Sequence, residues 1–212
     1  MENITPRDVW LLPWVNSYSF STVGLIAQLW RVDPATAARR IRYLLEIGLL
    51  RRIDLKSSTV RPLVVTPKGC QVCGDDLSPP KSVQRAQINH DLTFPNITMT
   101  LEARNGGTIE PARRVAQRYA RDPDRRNHHL PDAIFHRPDG TAVALELELT
   151  AKSKRRLGQI FEQYAADLSI AEVWYLTDDL SLARMLYRES RDFRPLIRVV
   201  PFKRNAENTS TK

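Results

Sequence analysis

The chain has 212 residues, 42% hydrophobic and 26% charged, an ordinary globular balance with room for one large core or two smaller ones. Its charge is less ordinary: 32 Lys and Arg against 24 Asp and Glu give a net +8 and a sequence pI near 9.8, which points to a polyanionic partner. No apolar run approaches the ~20 residues that span a bilayer, and MENITPRDVW lacks the basic and apolar regions of a signal peptide. The expectation is a cytoplasmic protein with no membrane partner, and nucleic acid as the polyanion.

A Thr5-Pro6 cap signal opens a first helix, with Val9, Leu12 and Val15 at helical spacing. A second, short helix begins at Ser21 and puts Val23, Ile26 and Leu29 on one face. Asp33-Pro34 caps a third that ends at Gly48. Its inner face is Ala37, Ile41, Leu44 and Leu45; its outer face carries Arg39, Arg40, Arg42 and Tyr43. Residues 49–69 read as two strands around a polar turn at Ser57-Ser58, with Arg51, Arg52, Lys56 and Arg61 as basic members. Three short helices followed by a basic hairpin predict a winged helix-turn-helix over residues 1–75. The third helix is the reader of the major groove, and the wing contacts phosphates. A solvated basic face on a protein-interaction module is the alternative.

Cys70 and Cys73 form a lone CxxC without the further ligands of a structural zinc site, and read as ordinary thiols. GDDLSPP at 74–80 is a polar, Pro-rich break that reads as a linker, with a second domain over 81–203 and a polar tail at 204–212. The helical pattern of 86–104 contains Pro95, so that helix is kinked or starts late. A basic segment follows from residue 110 to near Asp124, carrying Arg113, Arg114, Arg118 and Arg121, with Arg125 and Arg126 just beyond. A strand over 129–135, an Asp139-Gly140 turn and a Leu/Glu-alternating strand over 142–150 make a hairpin. A helix from Lys152 to Ser169, with Leu157, Ile160, Phe161, Tyr164 and Leu168 at helical spacing, precedes a strand at 171–177. A helix at 179–189 and a strand at 196–202 complete an α/β domain with a mixed sheet, and an α+β chain overall.

Within the hairpin, Glu146 and Glu148 share one face while Leu145, Leu147 and Leu149 take the other, and strand pairing can bring Asp132 beside the glutamates. Clustered carboxylates repel one another, and Mg²⁺ or Mn²⁺, which prefer oxygen ligands, relieve that repulsion. On a basic protein such a metal site suits a scissile phosphate. Lys152 and Lys154 stand close enough in sequence to steady developing charge. A half-exposed strand with solvated glutamates has the same pattern.

PDAIF followed by LELELT resembles the acidic motif of the replication-relaxation family of plasmids and other mobile elements, itself similar to PD-(D/E)XK nucleases. The stretches TPRDVWLLPWV, RRIRYLLEIGLLRR and VTPKG resemble its N-terminal half; His90-Asp91-Leu92, the hairpin and Tyr164 resemble its C-terminal half. The resemblance implies a restriction-endonuclease-like domain with Asp132, Glu146 and Glu148 as metal ligands and Glu102 as a further acidic member. Glu148 stands where the nuclease motif has Lys, so Lys152 or Lys154 must reach in if the site is active; Gln159 and Tyr164 are one residue too far apart for the Gln-Tyr pair of exonuclease-type relatives.

Two functions follow as expectations. One is a sequence-specific binder of double-stranded DNA with a metal-dependent endonuclease or nickase site at Asp132, Glu146, Glu148 and Lys152. The other is a non-catalytic DNA-binding accessory or transcriptional regulator on a degenerate nuclease fold. A homodimer on palindromic DNA, and replication or transfer proteins of the same element, are the expected protein partners. His128, His129 and His90 read as surface histidines.

Overall fold

The computed structural model describes residues 3–55, 58–126 and 128–203; Lys56 of the expected wing and the 204–212 tail lie outside them. The chain forms two compact units, residues 1–99 and 100–212.

In the first unit, α1 (Pro6–Ser17), α2 (Val23–Trp30) and α3 (Pro34–Glu46) precede β1 (Leu50–Arg52) and β2 (Leu63–Val65), and then α4 (Pro67–Cys73). Capping fixes these boundaries. Thr5 and Asp8 form a capping box, Asp33 accepts the Thr36 N–H at 2.9 Å, and Thr66 accepts the Gly69 N–H at 3.0 Å. Pro follows the cap in all three cases, where its missing N–H costs nothing. The strands pair antiparallel with Leu50 opposite Val65 and Arg52 opposite Leu63. Leu11, Leu12, Val15, Ile26, Ala37, Ile41, Leu44 and Leu63 close the core. Asp8, Leu11, Leu12 and Val15 define the inward stripe of α1, so Val9, expected to face inward, is instead 40% exposed.

The Thr66-Pro67 step, read above within a strand, starts α4. Gly69 is required there because a Cβ would lie 2.4 Å from the Leu49 carbonyl oxygen. Residues 74–80, read as a linker, are tied down: Leu77 is buried and its carbonyl accepts the Asn16 side chain at 2.6 Å. Cys70 and Cys73 carry thiols rather than a disulfide. The long α5 (Ile88–Asn105) continues through Pro95, and the two units divide within it.

The second unit is built on a five-stranded mixed sheet in the order β3-β4-β5-β6-β7. β3 (Thr108–Pro111), β4 (Ala133–His136) and β5 (Ala142–Leu147) run antiparallel; β6 (Glu172–Thr177) and β7 (Ile197–Pro201) continue parallel to β5. α6 (Ala112–Arg121), α7 (Lys154–Ala166) and α8 (Leu180–Glu189) pack on the face bearing Ile134, Ala144, Val173, Tyr175 and Ile197. The sequence reading lacked β3. It also extended α7 too far: the helix ends at Ala166, and Leu168, expected on its core stripe, is 98% exposed.

Gly107 makes β3 possible. Its φ is +78°, and a Cβ would lie 2.3 Å from the His136 carbonyl oxygen. Gly107→Ala is therefore expected to destabilise the protein by about 1–3 kcal/mol or more, read from urea unfolding, because backbone rather than a flexible side chain must yield. Among the described residues no helix is long and apolar enough to cross a membrane.

Candidate functional site

The β4–β5 register determines the site. Ala133 pairs with Leu145 and Ile134 with Ala144, so Asp132, one residue before β4, falls opposite Glu146. Asp132 and Glu148 lie just outside the assigned strands, yet their backbones continue the ladder. The Asp132 N–H donates to Leu145 at 3.1 Å and the Glu148 N–H to Leu176 at 2.8 Å. Residues two apart share a face, so Glu146 and Glu148 point with Ala144 into the face packed by helices rather than to water. Each is only 3% exposed, which overturns the reading of a half-exposed strand with solvated glutamates.

Every carboxylate is held. Asp132 accepts the Leu147 N–H at 2.8 Å. Glu146 Oε1 accepts from the Tyr164 hydroxyl and lies 2.8 Å from His129 Nε2. Glu148 pairs with the Lys152 ammonium, whose side chain is 34% exposed against 4% for its partner. Burial pushes the Glu148 carboxyl above its ordinary range; Lys152 pulls it back, and the charges of Glu146 and Asp132 add to the rise. Burial and then Glu146 likewise raise the Tyr164 phenol far above its usual value, so it is a neutral donor.

The four residues expected to carry chemistry, Asp132, Glu146, Glu148 and Lys152, therefore come together. Ser153 caps α7, so Lys152 lies just before the helix and can turn back onto Glu148. Lys154 instead reaches Glu189 at 3.1 Å. Glu102 is not a further member of this site: its carboxylate accepts the Ile109 N–H at 2.8 Å, closing the turn into β3. Of the histidines, His129 is the exception to the surface reading. Its side chain is 16% exposed, it stacks edge-on with Tyr164, and its backbone N–H donates to Gln163 at 2.7 Å. Gln163, not the exposed Gln159, thus adjoins the site. The one sequence signal for His129 was its place three residues before Asp132.

In kind, these donors fit the divalent ion that the resemblance implies. Hard oxygens from two strands are clustered, and the fully buried Tyr175 hydroxyl, which feels the charges of all three carboxylates, has no hydrogen-bond partner among the described residues. They are not closed around one point: among the described residues no three or more His, Cys, Asp or Glu side chains form a ready metal-binding group.

The basic side chains of the first unit divide differently from the sequence reading. Arg40 grips Asp8, which is 0% exposed, with its Nε at 2.9 Å from Oδ1, and also donates to the Asn3 carbonyl at 2.6 Å. Burial alone would raise the Asp8 carboxyl; hydrogen bonds from Arg40 and Thr5 outweigh it and hold the group below its ordinary range. Tyr43 lies under the Arg40 guanidinium and accepts the Asn3 N–H. Arg40 and Tyr43 are thus bound up in tying α3 to the N-terminal segment. Arg51 donates to the Pro80 carbonyl at 3.1 Å, Arg61 to that of Ser58 at 3.1 Å, and exposed Arg39 to the Thr36 hydroxyl at 3.3 Å. Arg42 and Arg52 are exposed, with no side-chain ion pair among the described residues. In the basic segment of the second unit Arg118 is engaged by Glu110 and Arg125 by Asp167.

Compared with protein-family models, curated proteins and solved structures, the chain matches none.

Proposed function

We propose that this protein binds double-stranded DNA through its first unit, read as a winged helix-turn-helix, and cuts a phosphodiester bond at the acidic site of its second, read as a PD-(D/E)XK-like domain. The observation that carries the cleavage reading is the convergence of Asp132, Glu146 and Glu148 beneath the helices, with Lys152 against Glu148. Burying like charges side by side is unfavourable, and an ordinary strand has no reason to do it. Bound by these carboxylates, Mg²⁺ or Mn²⁺ would neutralise them and polarise the scissile phosphate and a water. Tyr164 and His129 fix the orientation of Glu146, and the Leu147 N–H fixes Asp132. Lys152, whose side chain is 34% exposed, would hold positive charge where a phosphate arrives. The resemblance to the replication-relaxation family supplies the setting, a plasmid or other mobile element.

A purified preparation is expected to nick supercoiled plasmid in Mg²⁺ or Mn²⁺ and not in EDTA, with Asp132→Asn inactive. Binding is tested by filter retention of a duplex over a salt series. Arg42→Ala and Arg52→Ala are each expected to flatten the slope of log affinity against log salt by about 1, and no change in slope would remove these arginines from the interface. The engagement of every carboxylate by a protein donor favours a second reading, a DNA-binding accessory or regulator whose nuclease fold is inactive. Under that reading the protein binds DNA in the same salt-dependent way, and no metal supports cleavage.

A further inference from the structure

Tyr175 lies on β6 directly across from Glu146 in the parallel β5–β6 register, so the two side chains share the helix-covered face. The residue is 0% exposed, and its ring is wedged edge-on against Phe161, with centroids 5.5 Å apart and planes at 83°. Its hydroxyl has no hydrogen-bond partner among the described residues. Buried hydroxyls are ordinarily partnered, and Phe fills the same apolar space without a donor to satisfy. Burial keeps this donor neutral, its proton in place, and the charges of Glu146, Glu148 and Asp132 act in the same direction. A neutral O–H in the field of three carboxylates turns its hydrogen toward them, but none accepts it directly. A small polar bridge between hydroxyl and carboxylates, such as a water, satisfies both sides.

We propose that Tyr175 is a positioning residue of the acidic site, donating its hydroxyl hydrogen to a water that the carboxylates also hold and that joins the coordination shell of a divalent cation bound there. This rests on the cation-dependent reading of the site and adds to it a partner on the third strand. Phe161 prevents the ring from swinging away, so the hydroxyl presents one fixed donor to that water. The ring of Tyr175 belongs to the core, and its oxygen to the site.

The test pairs crystal structures of the full chain, grown in EDTA and in Mn²⁺ at a resolution that defines solvent, with Mn²⁺ titration of the wild type and Tyr175→Phe. In EDTA an ordered oxygen is expected within hydrogen-bond distance of Tyr175 Oη and of at least one of the three carboxylates. In Mn²⁺ the anomalous signal is expected to show that oxygen bound to the ion, and Tyr175→Phe is expected to bind Mn²⁺ about 10–100-fold more weakly with unchanged protein backbone. A wild-type crystal in which Tyr175 Oη bonds directly to a protein atom, or has no solvent beside it, overturns the proposal, as does a variant that binds Mn²⁺ as tightly as the wild type. If the wild type binds no Mn²⁺ at all, the cation reading fails and the coordination claim with it, while the EDTA crystal still decides whether Tyr175 holds the water. Should Tyr175→Phe fail to fold, the two wild-type crystals decide alone.

Discussion

Glu146→Gln is expected to abolish metal-dependent nicking and yet to melt higher than the wild type in EDTA. The amide keeps the shape of the side chain and still offers an oxygen to the Tyr164 hydroxyl and a polar partner to His129. What it removes is one of two buried negative charges side by side, with Asp132 adjacent and Lys152 paired with Glu148. Relief of that repulsion stabilises the metal-free fold, and a gain of about 1 kcal/mol would raise the melting temperature by roughly 2–4 °C for a chain of this length. The wild type should recover the difference when Mg²⁺ is added, through preferential binding to the folded state, whereas the variant should not respond. A variant that melts lower in EDTA, or that gains as much from Mg²⁺ as the wild type, contradicts this picture of the site. Under the proposed function, such a trade of stability for chemistry would explain why carboxylates with 3% exposure persist in an otherwise apolar face.

Arg40→Met is expected to destabilise the fold by about 3–5 kcal/mol, toward the low end because the Arg40 side chain is 25% exposed. The loss comes less from the missing attraction than from Asp8, left fully buried with only its Thr5 hydrogen bonds to hold its charge. The pH dependence gives the mechanism a signature. In the wild type the Asp8 carboxyl is held below its ordinary value, so its contribution is complete above about pH 4 and is lost only as pH falls through the lower folded-state value. Without Arg40 the carboxyl loses the hydrogen bond and charge that oppose burial most, keeps those of Thr5, and rises from its wild-type value. The variant is then penalised increasingly as pH rises through that raised value. The difference in urea-unfolding free energy between the two proteins should therefore be larger at pH 7 than at pH 4. Equal differences at both would mean that Arg40 acts through its contacts with the Tyr43 ring and the Asn3 carbonyl rather than through Asp8.

Local signals carried much of the architecture. The Thr5-Pro6 and Asp33-Pro34 steps marked α1 and α3, the Asp139-Gly140 turn located the β4–β5 hairpin, and Leu/Glu alternation assigned Glu146 and Glu148 to one side of a strand. Alternation cannot say whether that side meets water or a layer of helices, because periodicity is the same in both cases; burial became visible only once α7 was in place. The choice between Lys152 and Lys154 was hidden for a similar reason, since it depends on where Ser153 caps the helix. Arg40 read as outward from its position on α3, and its partner Asp8 is a contact 32 residues away that no local pattern encodes. Thr66-Pro67 was a legible cap passed over inside an apolar run, and β3 is four residues long with Pro at its end, too short for a period to register.

To cut DNA as proposed, the acidic face of the second unit must take up a divalent ion, and Mn²⁺ binding followed by the loss of the free-ion electron paramagnetic resonance signal measures that directly. Saturable binding to the wild type, lost in both Asp132→Asn and Glu146→Gln while their circular dichroism stays native, is the result expected. Wild-type protein that leaves the Mn²⁺ signal undiminished, or variants that bind as well as it does, would contradict it.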